Sequence, residues 1–417
     1  MKIKFFSIAF ALCLCAIAGP DMTLVSGDYK IVFDIGEKAK CSIVQIFYKD
    51  VEIGTRTGWY GTVFCPASGK YIGAGHTEGG SEAPLEKKLI IDGKEQPLQE
   101  GTFQGNDILL HKTTTLANLK LEASWKLSPE GLYIEKQFTA TADQPAHMLY
   151  LFQKCWSNKS TDWMLFKMNG GIAEGEFQTP PQKPGNDKVT WPLRAETSGF
   201  CMTQFFANEK VAHLSYFPDF SNVSGANYLW NVKGYHKQYL QIILPKVIEA
   251  GYKSQTYKML IRGFSANDKN DWKAKATALK DELAAQWPIF PRHLEPLHGS
   301  AVTLPPSPGK QQIHKVTLRL QPDSDYDISF QISKTEGMSK SITHHHAFVG
   351  YYDKEAKKFP QLAQLATKVP FDGEFHKVQG TFHTPKTDDV LFLYIYNSHS
   401  NGTVVVKNIA VDIKQEQ

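Results

Sequence analysis

Beyond its first eighteen residues the chain has no apolar run approaching the roughly 20 residues that a membrane-spanning helix needs. Nothing later in the sequence therefore points to stable membrane insertion. It also lacks a block of like charge. Lys and Arg number 46 against 42 Asp and Glu, and the resulting +4 is spread along the chain. A nucleic-acid footprint is excluded on that ground. Cysteines are few and widely separated, with no CxxC pair, so a structural zinc site is not expected. Helical periodicity is nearly absent, and this rules out a bundle or a βα-alternating fold.

What is present begins at the N-terminus. Lys2 and Lys4 precede an apolar run from Phe5 to Ile17, which closes in Ala16-Ile17-Ala18. This is the pattern of a secretory signal peptide (residues 1–18), so the expected location is secreted or periplasmic. Cleavage would remove Cys13 and Cys15. Cys41, Cys65, Cys155 and Cys201 would then stand in a compartment where disulfides persist, either in one of three pairings or as buried thiols.

The remaining chain is too long for one ordinary core and predicts two or three domains. Short β-rich segments recur between Gly, Asn and Asp turns: Tyr29–Asp34, Cys41–Phe47, Lys88–Ile91 ahead of Asp92-Gly93, Leu119–Leu127, Gly131–Thr139, Met148–Gln153, Ala212–Tyr216, Tyr239–Leu244 and Gln255–Arg262. That rhythm indicates a large, mainly β, antiparallel sandwich over residues 19–264. One helix is predicted over 265–287, where Trp272, Ala276, Leu279, Leu283 and Trp287 share a face. Ser265 and Asp268 are its candidate caps and Pro288 its stop. Prolines crowd residues 288–308, which predicts a linker. Strand signals resume over 309–417, and Tyr326, Ile328, Phe330 and Ile332 alternate with polar residues.

Three segments of the last region carry a resemblance: Leu320–Phe330, Phe375–Pro385 and Gly402–Val411. Their order and spacing resemble the jelly-roll carbohydrate-binding modules of families four, nine and twenty-two. Phe375 stands where that family usually has Trp, and Lys407 where it usually has an acid. The resemblance implies a sheet on which sugar rings stack against aromatic side chains while polar groups take the hydroxyls. Tyr351, Tyr394 and Tyr396 are the candidate rings; Tyr394 and Tyr396 must share a strand face, whereas Tyr351 and Tyr352 must point opposite ways. His344 and His346 share a face within a His triplet, and without a third ligand they read as sugar contacts rather than a metal site.

The segments Tyr29–Asp34, Ile43–Tyr48 and Val51–Gly54 resemble the first hairpin of galactose-mutarotase-like proteins, and Leu244–Gly251 with the strand to Arg262 resembles that fold's closing pair. The resemblance implies a supersandwich, and for mutarotation a histidine and a glutamate across the sugar's anomeric centre. The most unusual local sequence, Tyr71–Glu82, sets His76 and Glu78 on a glycine-rich loop, and these are the candidate catalytic pair. His111, His213, His236 and Glu249 complete the acid–base inventory.

The expected function is binding to extracellular oligo- or polysaccharide. The alternatives are a glycan-active enzyme (lyase, glycoside hydrolase or epimerase) working near His76, or a structural envelope protein. No metal or other cofactor is called for, and nothing in the sequence supports a calcium site.

Overall fold

The computed structural model describes residues 20–37, 40–56, 61–74, 82–167, 171–177, 199–218, 223–232, 234–242, 244, 246–287, 301–306, 312–318, 320, 323–335, 347–353, 356–366, 369–386, 391–397 and 401–414. The proposed signal segment and the His76 loop lie outside them.

The molecule is mainly β with one helix. Its larger part is built from two sheets. An 11-stranded sheet runs from Val223–Val232 through Tyr235–Ile242, Gln144–Ser157, Val51–Gly54, Ser42–Tyr48, Tyr29–Asp34 and Asp21–Ser26 to Gly101–Gln104. A 10-stranded sheet has Gly199–Phe206, Val211–Tyr216, Tyr257–Ser265, Gly131–Ala140, Leu119–Ser128 and Ile108–Leu116 as consecutive central strands. Pairing is antiparallel except between Asp21–Ser26 and Gly101–Gln104, which run parallel.

Strand alternation drives the assembly. In Leu119–Ser128, Leu119, Leu121, Ala123, Trp125 and Leu127 turn inward while Lys120, Glu122, Ser124 and Lys126 stay outside. The inward faces of both sheets form one apolar cluster, in which Phe33 meets Trp125 edge-on at 5.8 Å. The Asp92-Gly93 signal is realised as a two-residue hairpin joining Ile91 to Lys94, with φ of 47° and 78° at its two corners.

The sequence reading is corrected at the closing strands and at the start of the helix, and the open choice between disulfides and free thiols is decided for free thiols. Val247–Ile248 and Tyr257–Ser265 do not pair with each other as a closing hairpin. The former joins Gln144–Ser157 in the larger sheet, and the latter lies between Gly131–Ala140 and Val211–Tyr216 in the other. The helix spans Lys269–Gln286 and is capped by Asp268, whose carboxylate accepts from the N–H groups of Asn270 and Asp271; Ser265 is the end of a strand. All four described cysteines are free and buried, and burial pushes the Cys41 thiol up to about 11.

Trp272 anchors the helix. Its ring stacks on Phe205 at 5.5 Å and its indole N–H donates to Thr203 Oγ1 at 2.9 Å, with Ala276 and Leu283 buried along the same face.

The C-terminal part has its own apolar cluster between two four-stranded antiparallel sheets. The first contains Val302–Leu304, Val404–Ile413, Asp325–Lys334 and His376–His383; the second contains Gln312–Leu318, Leu391–Asn397, Ala347–Tyr351 and Gln361–Leu365. Residues 302–304, read above as linker, form an edge strand against Val404–Val406, a position that tolerates the prolines following it. Asn397 ties this strand down, its amide donating to the carbonyls of Leu304, Pro305 and Gly402.

Replacing Trp272 with Ala removes a fully buried ring and its hydrogen bond, and should cost about 3–5 kcal/mol. Thermal unfolding followed by near-UV circular dichroism checks this; an unchanged midpoint would mean the helix is not anchored there.

Candidate functional site

The second C-terminal sheet is covered by the core on one side only. Along Leu391–Asn397, Leu391, Leu393 and Ile395 face the core, so Phe392, Tyr394 and Tyr396 project from the other face. On the neighbouring strand Ala347 and Val349 face the core, and Phe348 projects beside Tyr394, its direct cross-strand partner. Phe348 and Tyr394 stack nearly parallel, 5.0 Å apart at 17°. Phe359 meets both edge-on, at 6.0 Å from Phe348 and 5.3 Å from Tyr394, and is 38% exposed. Phe392 and Tyr396 extend the platform, with centroids 5.8 Å from Tyr394 and 6.2 Å from Phe348.

Phe359 reaches this face because Gly350 leaves room for it. A Cβ at residue 350 would lie 2.7 Å from the Phe359 ring and 2.7 Å from the Pro360 carbonyl oxygen, which is held by the Tyr351 N–H.

Polar groups border the rings. Lys315, cross-strand from Tyr394, places Nζ 3.4 Å above the Phe392 ring and 5.5 Å from that of Tyr394, a cation–π arrangement. Gln361 and Gln364 are exposed on the edge strand. The Gln364 amide donates to Gln361 Oε1 at 3.1 Å, which leaves the Gln364 carbonyl and the Gln361 amide group facing outward.

The first C-terminal sheet presents a different exterior. Asp325, Asp327, Ser329 and Gln331 project there beside His383, Thr381, Gln379 and Lys377. His383 lies between Asp325 and Asp323 at 3.0 and 3.1 Å, and hydrogen bonds to both carboxylates raise its pKa. Among the described residues no group of His, Cys, Asp and Glu is arranged to hold a metal.

The sequence-derived site residues divide accordingly. Tyr394 and Tyr396 share the aromatic face, Tyr394 half-buried and Tyr396 buried. Tyr351 packs against the core cluster, while its neighbour Tyr352 is exposed. His76, Glu78, His344 and His346 lie outside the described residues. Phe348, Phe359, Phe392 and Lys315 were missed; the alternation of Phe392 with Leu391 and Leu393 was the available signal for one of them.

The described part of the larger sandwich carries a buried polar seam. Lys112 donates to Glu82 at 2.8 Å and to the Lys40 carbonyl at 2.7 Å, with both side chains inaccessible. Lys136 donates to Thr62 Oγ1 and the Leu151 carbonyl, each at 2.8 Å, and desolvation with two neighbouring lysines pulls its pKa far down. Desolvation likewise brings Lys154 down to about 7. His213 stacks on Trp156 at 4.0 Å and His236 meets the Ser160 hydroxyl at 2.9 Å; burial takes each to about 3. His111 contacts Ser124 and Thr113 instead. Neither His213 nor His236 is hydrogen-bonded to a carboxylate among the described residues.

No family model matches the chain, and no curated protein matches it. Solved structures similar to it include the α-N-acetylgalactosaminidase NagBb of Bifidobacterium bifidum, at 9% identity and TM-score 0.41 over 63% of this chain and 39% of that one. A galactose mutarotase-like protein of Lactobacillus casei is similar at 11% identity and TM-score 0.32, over 58% and 100% of the two chains. The Clostridium thermocellum xylanase Xyn10B, a CBM22-1–GH10 structure with xylohexaose, is similar at 16% identity and TM-score 0.19, over 24% and 18%. The functional reading rests on this chain's own side chains.

Two outcomes are expected. His213 and His236 have folded pKa values below their unfolded value of about 6.5, so the native state binds fewer protons between those limits and loses stability as pH falls through them. The loss approaches about 1.4 kcal/mol per pH unit for each ring. Lys154 acts with the same sign at higher pH, adding stability from about 7 up to about 10.5. Denaturant midpoints across pH 4–9 should rise monotonically through the acid limb, and His213→Gln should flatten that limb; a curve unchanged by the substitution would count against this assignment. Separately, Gly350→Val should expel Phe359 from the platform, read as altered Phe359 and Tyr394 ring resonances in NMR spectra with the core resonances retained.

Proposed function

We propose that the protein is exported by its N-terminal segment and binds oligo- or polysaccharide on the outer face of the second C-terminal sheet. The observation that carries this reading is the cluster of Phe348, Phe359, Phe392, Tyr394 and Tyr396 on one face, bordered by amide and ammonium groups. Aromatic rings left on a sheet exterior contribute nothing to the core beneath. Phe348, Phe359, Phe392 and Tyr394 are accessible there and offer π-faces to the C–H faces of pyranose rings, Tyr396 being buried beside them, and Gln361 and Gln364 offer donors and acceptors to hydroxyls. In the described residues the opposite sheet's exterior shows one exposed ring, Phe375, among polar residues, so the clustering of rings is particular to this face.

The resemblance of segments 320–330, 375–385 and 402–411 to carbohydrate-binding jelly rolls supports the same reading, as does the proportion of aromatic residues in the chain. In this reading residues 309–417 are the binding module, preceded by the large sandwich over 19–264, its closing helix over 265–287 and a linker over 288–308. No chemistry is assigned to the large sandwich. His213, His236, Lys112, Lys136 and Lys154 are engaged in its interior, and the pair that would make an enzyme, His76 and Glu78, lies outside the described residues.

Affinity electrophoresis of the full chain through gels containing defined polysaccharides tests the proposal. The native protein should be retarded by at least one of them. Tyr394→Ala and Phe348→Ala should each weaken retention by about threefold to tenfold, while Asp327→Ala on the opposite sheet should leave it unchanged. Full retention by both ring variants, or equal loss in Asp327→Ala, would refute the location of the site.

A further inference from the structure

The geometry points to an acidic glycan, one bearing uronate carboxylates, as the ligand of the aromatic face. This rests on the reading of that face as glycan-binding and adds the charge of its ligand.

The argument begins with Lys315. Its ammonium lies 3.4 Å above Phe392 and 5.5 Å from the Tyr394 ring centre, so the charge is held over the platform and not extended into solvent. Lys315 is exposed, and among the described residues it has no carboxylate partner. Among the described residues the attraction restraining it is the ring quadrupole, which orients the cation while leaving N–H donors to bind an anion. A carboxylate on a sugar stacked against Tyr394 would meet that ammonium as a charge-assisted hydrogen bond.

Among the described residues of the hairpin that delivers Phe359, Lys357 and Lys358 are exposed and Asp353 accepts the Ala356 N–H at 2.9 Å. The polar groups of the edge strand, Gln361 and Gln364, are neutral. On the far side of the same sandwich acids and bases are mixed: Asp323, Asp325, Asp327 and Asp412 gather on or beside the first sheet with His383, Lys377, Lys386 and Lys407, the last lying 3.6 Å over the Phe375 ring. A polyanion on the aromatic face would meet the Lys315 ammonium among the rings, away from those carboxylates. A neutral polysaccharide would use the rings and the glutamines but would gain from Lys315 an ordinary hydrogen bond to a hydroxyl and no charge pairing.

The test uses the full chain and a panel of polyuronates (polygalacturonate, alginate, hyaluronan and glucuronoxylan), each paired with its carboxyl-reduced form. That form keeps the backbone and linkage and replaces each carboxylate with a hydroxymethyl group. Binding to a native polyuronate should exceed binding to its reduced partner by about tenfold and should weaken as salt is raised. Lys315→Gln should lose most of that preference while leaving affinity for the reduced polymer unchanged, and Lys315→Arg should keep the preference. Lys377→Gln, on the opposite sheet, should behave as the native protein.

Equal affinity for native and reduced polymers, or a preference undisturbed by Lys315→Gln, would overturn the acidic-ligand inference. If that binding were still lost in Tyr394→Ala, the glycan-binding reading would stand without it. Equal weakening by Lys377→Gln would reduce the effect to general attraction of a polyanion and overturn the inference as well. Binding to no polysaccharide, acidic or neutral, would defeat both readings together.

Discussion

The pleat of a single strand, Leu391–Asn397, is the constraint on which the functional surface depends. Its neighbours on both sides, Gln312–Leu318 and Ala347–Tyr351, fix its register, and the core below accepts Leu391, Leu393 and Ile395. With those three committed inward, Phe392, Tyr394 and Tyr396 have one direction left. A slip of one residue would bury the rings and expose the aliphatic chains, so the same apolar burial that stabilises the small sandwich also determines what it shows to solvent. The other features of the face depend on this register. Phe348 is placed against Tyr394 by cross-strand pairing, Phe359 folds over the gap at Gly350, and Lys315 rests on Phe392 from the next strand.

The large sandwich spends its polar residues differently. Lys112, Lys136 and Lys154 lie inside it, where Glu82 is the acid engaged with Lys112 and carbonyl or hydroxyl oxygens satisfy Lys136. Buried cations of this kind cost stability in their charged state, and each hydrogen bond offsets part of that cost. His213 and His236 remain neutral for the same reason. These groups fix how the two sheets meet, and a histidine stacked on Trp156 with a fully buried ring is in no position to exchange protons with a substrate. Residue types that would serve acid–base chemistry on a surface are thus structural when a core closes over them.

Much of the architecture was legible from local pattern. Alternation in Leu119–Ser128 and Asp325–Lys334, the Asp92-Gly93 turn and the apolar stripe of the helix each follow from side-chain geometry acting over a few residues. The strand partners of Val247–Ile248 and Tyr257–Ser265 were not legible. Adjacent strands commonly pair, yet these two enter different sheets, a choice made by contacts with strands remote in the sequence, Gln144–Ser157 for one and Gly131–Ala140 with Val211–Tyr216 for the other. The site was half legible in the same sense. Tyr394 and Tyr396 could be assigned to a common face, but Tyr351 could not be separated from them, because its orientation depends on which side of its strand the core occupies. Phe359 carried no strand signal at all, and it joins the platform through a hairpin and a glycine that leave no periodic trace.

By itself the sequence determined the fold class, the one helix, the absence of a later membrane-spanning run and of any single-charge tract, and the alternation within each strand. All of these depend on composition or on neighbours within a turn or two. Only the tertiary structure decided that the four described cysteines stay unpaired, that the histidines at 213 and 236 are interior, and that aromatic side chains from three separate segments converge beside Lys315. Such outcomes are set by non-local pairing and by which face of each sheet the core covers, quantities that no window of the chain contains.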